Sequence, residues 1–280
     1  MAETKVIGRV IFLIIFLSSA VSCAPTYMWH DIAADSHRTG VVPVTASNMP
    51  QALGYVDGGM YHAPSGEVFE EGTCTEKLAE ILISAQPEVD YLKKVIAYSP
   101  RSMEKHRPQS ELSNFTVDCM MEKVEEITGR KVDVGITNFG GIRCAVPKGD
   151  VILDDIVARF PFKNNLVYVV TTGERLREIF ADMVSRRVEV VGGVELIIKG
   201  GELMSFKVGG EDVVSDKLYG VASVDFLLKG GDGIFLADGA IEVVDTGMLI
   251  RDAILDKIGF LTAHGLPLEY HLDNRVIVVK

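Results

Sequence analysis

The feature that most constrains this fold is a strand followed at once by an amphipathic helix and then by a glycine-centred hairpin. The segment "NNLVYVVTT" predicts a buried strand, and in "GERLREIFADMV" apolar residues recur at helical spacing between Leu176 and Met183. Two further apolar segments, "VELIIKG" and "ELMSFKVGG", meet at Gly200-Gly201, which is typical of a two-residue hairpin turn. A helix beside an antiparallel pair does not fit a regular β-α-β repeat.

The other segments continue this mixture. "EKLAEILISA", "LDDIVARF" and "MLIRDAILDKIGFL" are predicted helices, "VDYLKKVIAYS" fits a helix or a strand, and "KVDVGIT", "KLYGVASV", "IEVVDTG" and "NRVIVVK" are predicted strands. "SELSNFTVDCMMEKVEEITG" predicts a helix that is capped by Ser110 or Ser113 and stopped by Gly129. Helices and antiparallel hairpins interspersed in this way favour the α+β class over a doubly wound sheet.

The charge of the chain limits its partners. The 280 residues carry a formal net charge of −11. Such an acidic field repels phosphate backbones, which argues against nucleic acid as a partner. A small anion could still bind where a few arginines are concentrated in one cleft. Any site for an anion must therefore be local.

The N-terminus has the pattern of an export signal. Two basic residues precede the apolar run "VIFLIIFLSSAVSC", which is too short for a comfortable bilayer span and has the length of a signal-peptide core. The last four residues, "AVSC", are similar to a bacterial lipobox, in which the cysteine becomes the lipidated first residue. We therefore expect a signal peptide over residues 1–23, lipidation of Cys23, and anchoring to a bacterial cell envelope membrane on its periplasmic or cell-surface face. A plain signal peptide and a retained membrane helix are the alternatives.

The stretch "TNFGGIR" combines residues suited to holding an anion. Gly140 and Gly141 allow positive φ and close backbone approach, which would expose N–H groups. Arg143 adds a planar guanidinium that matches phosphate geometry. Asn138 offers both a donor and an acceptor to a base or ribose edge. A tight turn with a surface arginine is the structural alternative.

Two phenylalanines and an aspartate stand in two further motifs. Phe162 lies in "FPFKNN", Phe226 lies just before "LLKGGDG", and Asp232 lies in the glycine turn of the latter. Aromatic faces can stack on a base, although a phenylalanine considered alone is more often a core residue. Asp232 considered alone is ordinary turn chemistry.

Four segments in order resemble the C-terminal domain of the 5′-nucleotidase / UDP-sugar hydrolase family: "RPQSELSNFTVD", "NFGGIR", "PKGDVILDDIVARFPFKNNLVYVVTTGERLREIF" and "SVDFLLKGGDG". The resemblance implies a layered α/β/β/α sandwich within the α+β class. It assigns residues 71–280 to this domain and leaves residues 24–70 as an extension or linker, in which "GVVPVTA" could form a short strand.

The resemblance also implies the roles of the residues that would bind the nucleoside. Phe162 and Phe226 match the two family aromatics that sandwich the base. Asn138 matches the asparagine that contacts the nucleoside, and Asp232 matches the acid that accepts hydrogen bonds from the ribose hydroxyls.

The phosphate end is assigned in the same way. The loop with Gly140, Gly141 and Arg143 would face the phosphate. Arg107, in "HRPQSELSN", approximates the position of another family arginine that faces the phosphate, and His106 competes with it for that position.

Hydrolysis in this family belongs to a separate N-terminal metallophosphatase domain. Its D-x-H, G-D, G-N-H-[DE] and G-H-x-H motifs bind two divalent metals that activate water. The six histidines of this chain lack that spacing; Asp35-Ser36-His37 matches D-x-H, but no N-H-D/E or H-x-H motif follows. We therefore expect no catalytic residue, metal or cofactor in this chain, and divalent metals only in a partner phosphatase.

These expectations combine into one function. The chain would be the nucleotide- or nucleoside-recognition domain of a 5′-nucleotidase-type phosphohydrolase in nucleotide catabolism. It would act with a separately encoded metallophosphatase and would not hydrolyse its ligand without it. The first alternative is a stand-alone nucleoside- or nucleotide-binding surface lipoprotein without catalysis. The second is a structural or interaction protein whose pocket has decayed.

Overall fold

The structure is a computed structural model that describes residues 48–279. The predicted signal peptide, Cys23, the Asp35-Ser36-His37 match and the "GVVPVTA" segment lie outside these residues. Within residues 48–279, no helix combines the length and the apolar composition that crossing a membrane requires.

The first described residues form a short helix and a small antiparallel sheet. Helix α1 spans Met49–Leu53, and strands β1 (Tyr55–Asp57), β2 (Met60–His62) and β3 (Val68–Phe69) pair in that order. Regular structure is thus present within the segment for which the sequence predicts an extension or linker.

The domain that follows alternates helices and strands. Its first half contains α2 (Cys74–Val89), β4 (Val95–Ser99), α3 (Glu111–Thr128), β5 (Val134–Thr137), β6 (Gly149–Ile152), α4 (Leu153–Arg159), β7 (Asn165–Thr172) and α5 (Gly173–Arg186). Its second half contains β8 (Val190–Gly192), β9 (Val194–Lys199), β10 (Glu202–Val208), β11 (Glu211–Asp212), β12 (Leu218–Val224), β13 (Glu242–Leu249), α6 (Ile250–Ala263) and β14 (Val276–Val279). The ambiguous segment "VDYLKKVIAYS" contains both a 3-10 turn, Asp90–Lys93, and β4.

Two sheets organise the core. The larger has the strand order β13-β7-β12-β5-β8, and the second has the order β11-β10-β9-β14. All inner positions of β7 are buried, which explains why its sequence is a continuous apolar run. The predicted class, α+β with helices layered on sheets, is confirmed.

Helices α3 and α5 follow the predicted patterns. Ser110 caps α3 through a reciprocal capping box with Ser113, and Gly129 ends the helix in the left-handed conformation, with φ 63°. On α5, Phe180 is fully buried and its ring stacks on Phe206 of β10, with centroids 4.3 Å apart. The hairpin between β9 and β10 turns at Gly200-Gly201, as predicted.

An ion-pair network around the buried side chain of Arg275 holds the C-terminal segment; we call it the C-terminal latch and define it as Asp118, Tyr270, Asp273 and Arg275. The Arg275 guanidinium donates to both carboxylate oxygens of Asp118 on α3, at 2.8 and 2.7 Å. It also donates to Asp273, at 2.7–2.9 Å, and Tyr270 Oη donates to Asp118 at 2.7 Å. The latch therefore ties the segment before β14 to helix α3.

Candidate functional site

An open cavity of about 260 Å³ lies where three central strands of the larger sheet end or begin. Its lining consists of Asn138, Gly140, Gly141, Arg143, Phe162, Asn164, Phe226 and Asp232. All of these except Asn164 are predicted site residues. Asn138 and Asp232 are 94 residues apart in the sequence and yet are hydrogen-bonded across the cavity lining.

The sheet topology explains why three distant segments meet here. Strands β5 and β12 are parallel neighbours, so the loops that follow them leave the sheet at the same end of the two strands. Strand β7 is antiparallel to β12, so the loop that precedes β7 also lies at that end. These three loops carry residues 138–143, 225–232 and 160–164.

The first loop needs its glycines for close approach. A Cβ at Gly140 would lie 3.1 Å from Asn138 Nδ2, and one at Gly141 would lie 2.9 Å from Asn138 Oδ1. Neither glycine is among the described glycines with positive φ, so that part of the prediction is wrong. The expected close approach is present, but the group that approaches is the folded-back amide of Asn138.

A lysine that the sequence analysis did not single out braces this loop. Lys105 Nζ donates to the carbonyl oxygen of Phe139, at 3.0 Å, and to that of Ile142, which together bracket the two glycines. Burial lowers the pKa of Lys105, and the nearby charges of Arg143 and Arg107 lower it further. The glycine loop is thus held by the Lys105 ammonium group, which lies near the charges of Arg107 and Arg143.

Asn138 and Asp232 form the polar side of the cavity. Asn138 Nδ2 donates to Asp232 Oδ2 at 2.7 Å, and because a carboxylate only accepts, this bond fixes which way the amide points. The Asn138 side chain is buried, and among the described residues its Oδ1 has no hydrogen-bond partner. Asp232 is exposed, so its carboxylate can still accept hydrogen bonds from a ligand.

The two phenylalanines are not core residues. Phe162 is 47% exposed and Phe226 is 46% exposed, and both line the cavity. Large aromatic side chains left half exposed around one concave site offer flat apolar surfaces to a ligand. The structure thus brings the two predicted stacking residues together.

The Arg143 guanidinium is left largely uncommitted. It donates to the Gly140 carbonyl at 3.3 Å, and its Cζ lies 5.8 Å from the centroid of the Phe162 ring. Among the described residues it forms no ion pair with a carboxylate. A guanidinium at the mouth of a cavity without a counter-charge is suited to an anionic ligand.

Arg107 lies outside the lining of this cavity. Its guanidinium forms an ion pair with Glu189 at 2.8 Å, donates to the Val188 carbonyl and lies 4.3 Å from the centroid of the Phe139 ring. Glu189 in turn accepts from the Phe139 backbone N–H at 2.7 Å. In this geometry the Arg107 charge already has a partner, and the residue braces the glycine loop. His106 does not line the cavity either.

The sequence analysis missed Asn164, which follows Phe162 within "FPFKNN". It lines the cavity, and its backbone carbonyl accepts from Ile250 at the start of α6. The only signal available was its presence in an already selected motif. Across residues 48–279, no group of three or more histidine, cysteine or acidic side chains is arranged to hold a metal ion.

Comparison with known proteins identifies the family of the domain. The family model for the 5′-nucleotidase C-terminal domain matches residues 91–238, which is more than half of the chain. Over 85 residues the chain is 36% identical to the trifunctional nucleotide phosphoesterase protein YfkN of Bacillus subtilis, an alignment that covers 30% of this chain and 6% of that protein. Over 76 residues it is 32% identical to a Treponema pallidum protein named "Probable 5′-nucleotidase", covering 27% and 13%.

A solved structure has the same fold. The 5′-nucleotidase precursor of Thermus thermophilus superposes with a TM-score of 0.65 at 23% identity, over 79% of this chain and 49% of that one. The chain thus spans about half or less of each of these proteins. Because the family model matches more than half of its residues, the chain belongs to the family of 5′-nucleotidase C-terminal domains.

Proposed function

We propose that this chain recognises a nucleotide or nucleoside for a 5′-nucleotidase-type phosphohydrolase in nucleotide catabolism. The observation that carries the proposal is one cavity that brings together two half-exposed aromatic rings, an acid and an arginine that has no ion-pair partner among the described residues. These groups match the three parts of a nucleotide, which are a flat base, a hydroxylated sugar and an anionic phosphate.

Each part of the ligand has a suitable partner. The base would stack between Phe162 and Phe226, which contributes about 1–3 kcal/mol per base and tolerates different bases. The ribose hydroxyls would donate to Asp232, whose carboxylate Asn138 holds in place. The phosphate would meet Arg143 through charge-assisted hydrogen bonds. Such a site binds and orients a ligand.

Hydrolysis would come from a separately encoded metallophosphatase that supplies the divalent metals. In this arrangement the present chain contributes orientation, which can account for a large part of catalysis. The similarity to proteins named nucleotide phosphoesterase and 5′-nucleotidase supports the proposed chemistry. We further propose that Cys23 is lipidated and anchors the mature protein to a bacterial cell envelope membrane.

Calorimetry with the purified protein tests ligand recognition. AMP and adenosine should bind, and Phe226→Ala should weaken both by at least about fivefold, the lower end of base stacking. Phe260→Ala is the matched control, because Phe260 is also an exposed phenylalanine, 54% exposed, but lies on α6 outside the cavity lining. No heat with AMP, adenosine or a UDP-sugar would remove the proposal.

Two further measurements test the partner and the anchor. Adding this protein to a metallophosphatase that lacks this domain should raise the rate of AMP hydrolysis, and Phe226→Ala should raise it less. Tight binding with no change in that rate at any ratio would favour a stand-alone binding lipoprotein. Mass spectrometry of the mature N-terminus should show a diacylglyceryl group on Cys23, and an unmodified Cys23 would contradict the anchor.

A further inference from the structure

The turn that carries Asp232 is fastened from outside by helix α5. Arg186, the last residue of α5, donates from Nη1 to the Asp232 carbonyl at 3.0 Å and from Nη2 to the Gly233 carbonyl at 2.7 Å. The same guanidinium forms an ion pair with Asp182, one turn earlier on the helix, at 2.6 Å. One side chain therefore links a rigid helix to two consecutive carbonyls of the binding loop.

This turn has a backbone conformation that needs support. Asp232 has φ 48°, in the left-handed region that is uncommon for residues other than glycine, and Gly233 follows with φ 78°. Holding a non-glycine residue there has an energetic cost, so the surrounding structure must maintain it. Within the turn, Gly233 N–H donates to the Gly230 carbonyl at 3.0 Å.

Gly233 also leaves the space that the guanidinium occupies. A Cβ at position 233 would lie 1.9 Å from Arg186 Nη1 and 2.7 Å from its Cζ, so a side chain there would displace the arginine. Arg175, three turns earlier on α5, donates to the carbonyls of Asp238 and Phe235, at 2.9 and 3.2 Å. Helix α5 thus holds this loop at two points, and Arg186 is the one that contacts the acid's own backbone.

We propose that Arg186 is a positioning residue that fixes the carboxylate of Asp232 for a hydroxylated sugar. The inference rests on the proposed function, because it assigns to Asp232 the ribose of a bound nucleoside. Arg186 does not line the cavity and acts only through the turn. Without it, the turn loses two backbone contacts, and the carboxylate loses its fixed direction toward Asn138 and the ligand.

The test replaces Arg186 by methionine, which keeps a long apolar stem and removes all donors. The matched control is Arg177→Met, on the same helix, because Arg177 also donates to a backbone carbonyl, that of Val213, and neither residue lines the cavity. Calorimetry compares adenosine with 2′,3′-dideoxyadenosine, which lacks the hydroxyls that Asp232 would accept. Hydrogen exchange of the amides from Gly230 to Ile234 reports the order of the turn without any ligand.

We expect Arg186→Met to weaken adenosine binding about tenfold, to change dideoxyadenosine binding less than twofold, and to speed amide exchange in the turn about tenfold. Arg177→Met should change none of the three, and Arg186→Lys should recover part of the loss. Two outcomes would overturn the role of Arg186 but leave the proposed function standing, provided that the wild type binds adenosine. In the first, Arg186→Met weakens the binding of adenosine and dideoxyadenosine equally. In the second, Arg186→Met leaves amide exchange in the turn unchanged. A wild-type protein that binds neither ligand overturns the proposed function, and the binding role of Arg186 with it.

Discussion

The cavity and the C-terminal latch use arginine in opposite ways. In the latch, Arg275 is 7% exposed and is held by two carboxylates. At the cavity, Arg143 is exposed and forms no ion pair among the described residues. Acidic side chains thus lie beside the arginine that joins two elements of the fold, whereas the arginine that lines the cavity has none as an ion-pair partner among the described residues.

The difference shows how stability and binding can be separated within one domain. A buried guanidinium that loses its carboxylates leaves an uncompensated charge in a poorly solvated place. An exposed guanidinium remains solvated, so its removal has little effect on folding. Substitutions in the latch should therefore act on the free energy of unfolding, and substitutions in the cavity should act on ligand affinity.

The largest effect is expected for Arg275→Met. It removes a buried guanidinium and its hydrogen bonds, and because the Asp118 and Asp273 side chains are 22% and 50% exposed we expect a loss of about 2 kcal/mol in the free energy of unfolding. Urea unfolding measures this, and calorimetry of the folded fraction should give an unchanged affinity for adenosine. A stable variant with weakened binding would break the separation.

Phe162→Ala should have the next largest effect, on binding only. Because Phe162 is half exposed, we expect the substitution to change the free energy of unfolding of the protein by under about 0.5 kcal/mol. The loss of one stacking face should lower the affinity for adenosine by about 1–2 kcal/mol. Calorimetry and urea unfolding of the same preparation decide whether the two quantities separate, and a large loss of stability would place Phe162 in the core instead.

Arg143→Met should distinguish ligands by their charge. Without the guanidinium, the affinity for AMP should fall by about 1.5 kcal/mol, because the phosphate loses charge-assisted hydrogen bonds, whereas adenosine binding should be almost unchanged. Competition between the two ligands at low and moderate salt measures the difference. Equal losses for AMP and adenosine would mean that Arg143 shapes the loop rather than binding the phosphate.

The smallest expected effect is a pH dependence of the latch. Burial acts to raise the pKa of Asp273, but the hydrogen bonds and charge of Arg275 outweigh it and lower this pKa overall. A lowered pKa in the folded state means that the stabilisation is complete above the unfolded value of about 3.9 and is lost as the pH falls through the folded value.

The stability difference between the wild type and Asp273→Asn should therefore shrink as the pH falls below about 4. Its size should stay under about 1 kcal/mol, because the Asp273 side chain is 50% exposed. Urea unfolding at pH 7, 4 and 3 measures it. A difference that is constant over this range would show that Asp273 contributes through geometry and not through its charge.

The sequence predicted the elements whose signals are local. Ser110 and Gly129 mark the two ends of α3, and their roles were predictable because capping depends on a few neighbouring residues. The hairpin turn at Gly200-Gly201 was predictable because it too depends on a few neighbouring residues. The separation of the strands into two sheets, with β5 beside β12 and β14 beside β9, depends on contacts between distant segments. No periodicity in the chain carries that information.

The candidate site divides in the same way. Asn138, Arg143, Phe162, Phe226 and Asp232 were predicted because they stand in motifs that resemble a known family. The residues that hold these loops in place could not be predicted, because their role depends on contacts between segments that are distant in the sequence. Lys105 and Arg186 bind backbone carbonyls, and any residue type offers a backbone carbonyl, so the sequence holds no matching partner to search for.

The position of the latch late in the described chain also determines when this domain can be complete. Strand β14 supplies the parallel neighbour of β9, Leu268 N–H bonds to the Tyr98 carbonyl, and Arg275 neutralises Asp118. During synthesis, the partner of each of these earlier elements is added much later. Such long-range contacts slow folding, and until the ribosome has added Arg275, Asp118 of α3 lacks its ion-pair partner.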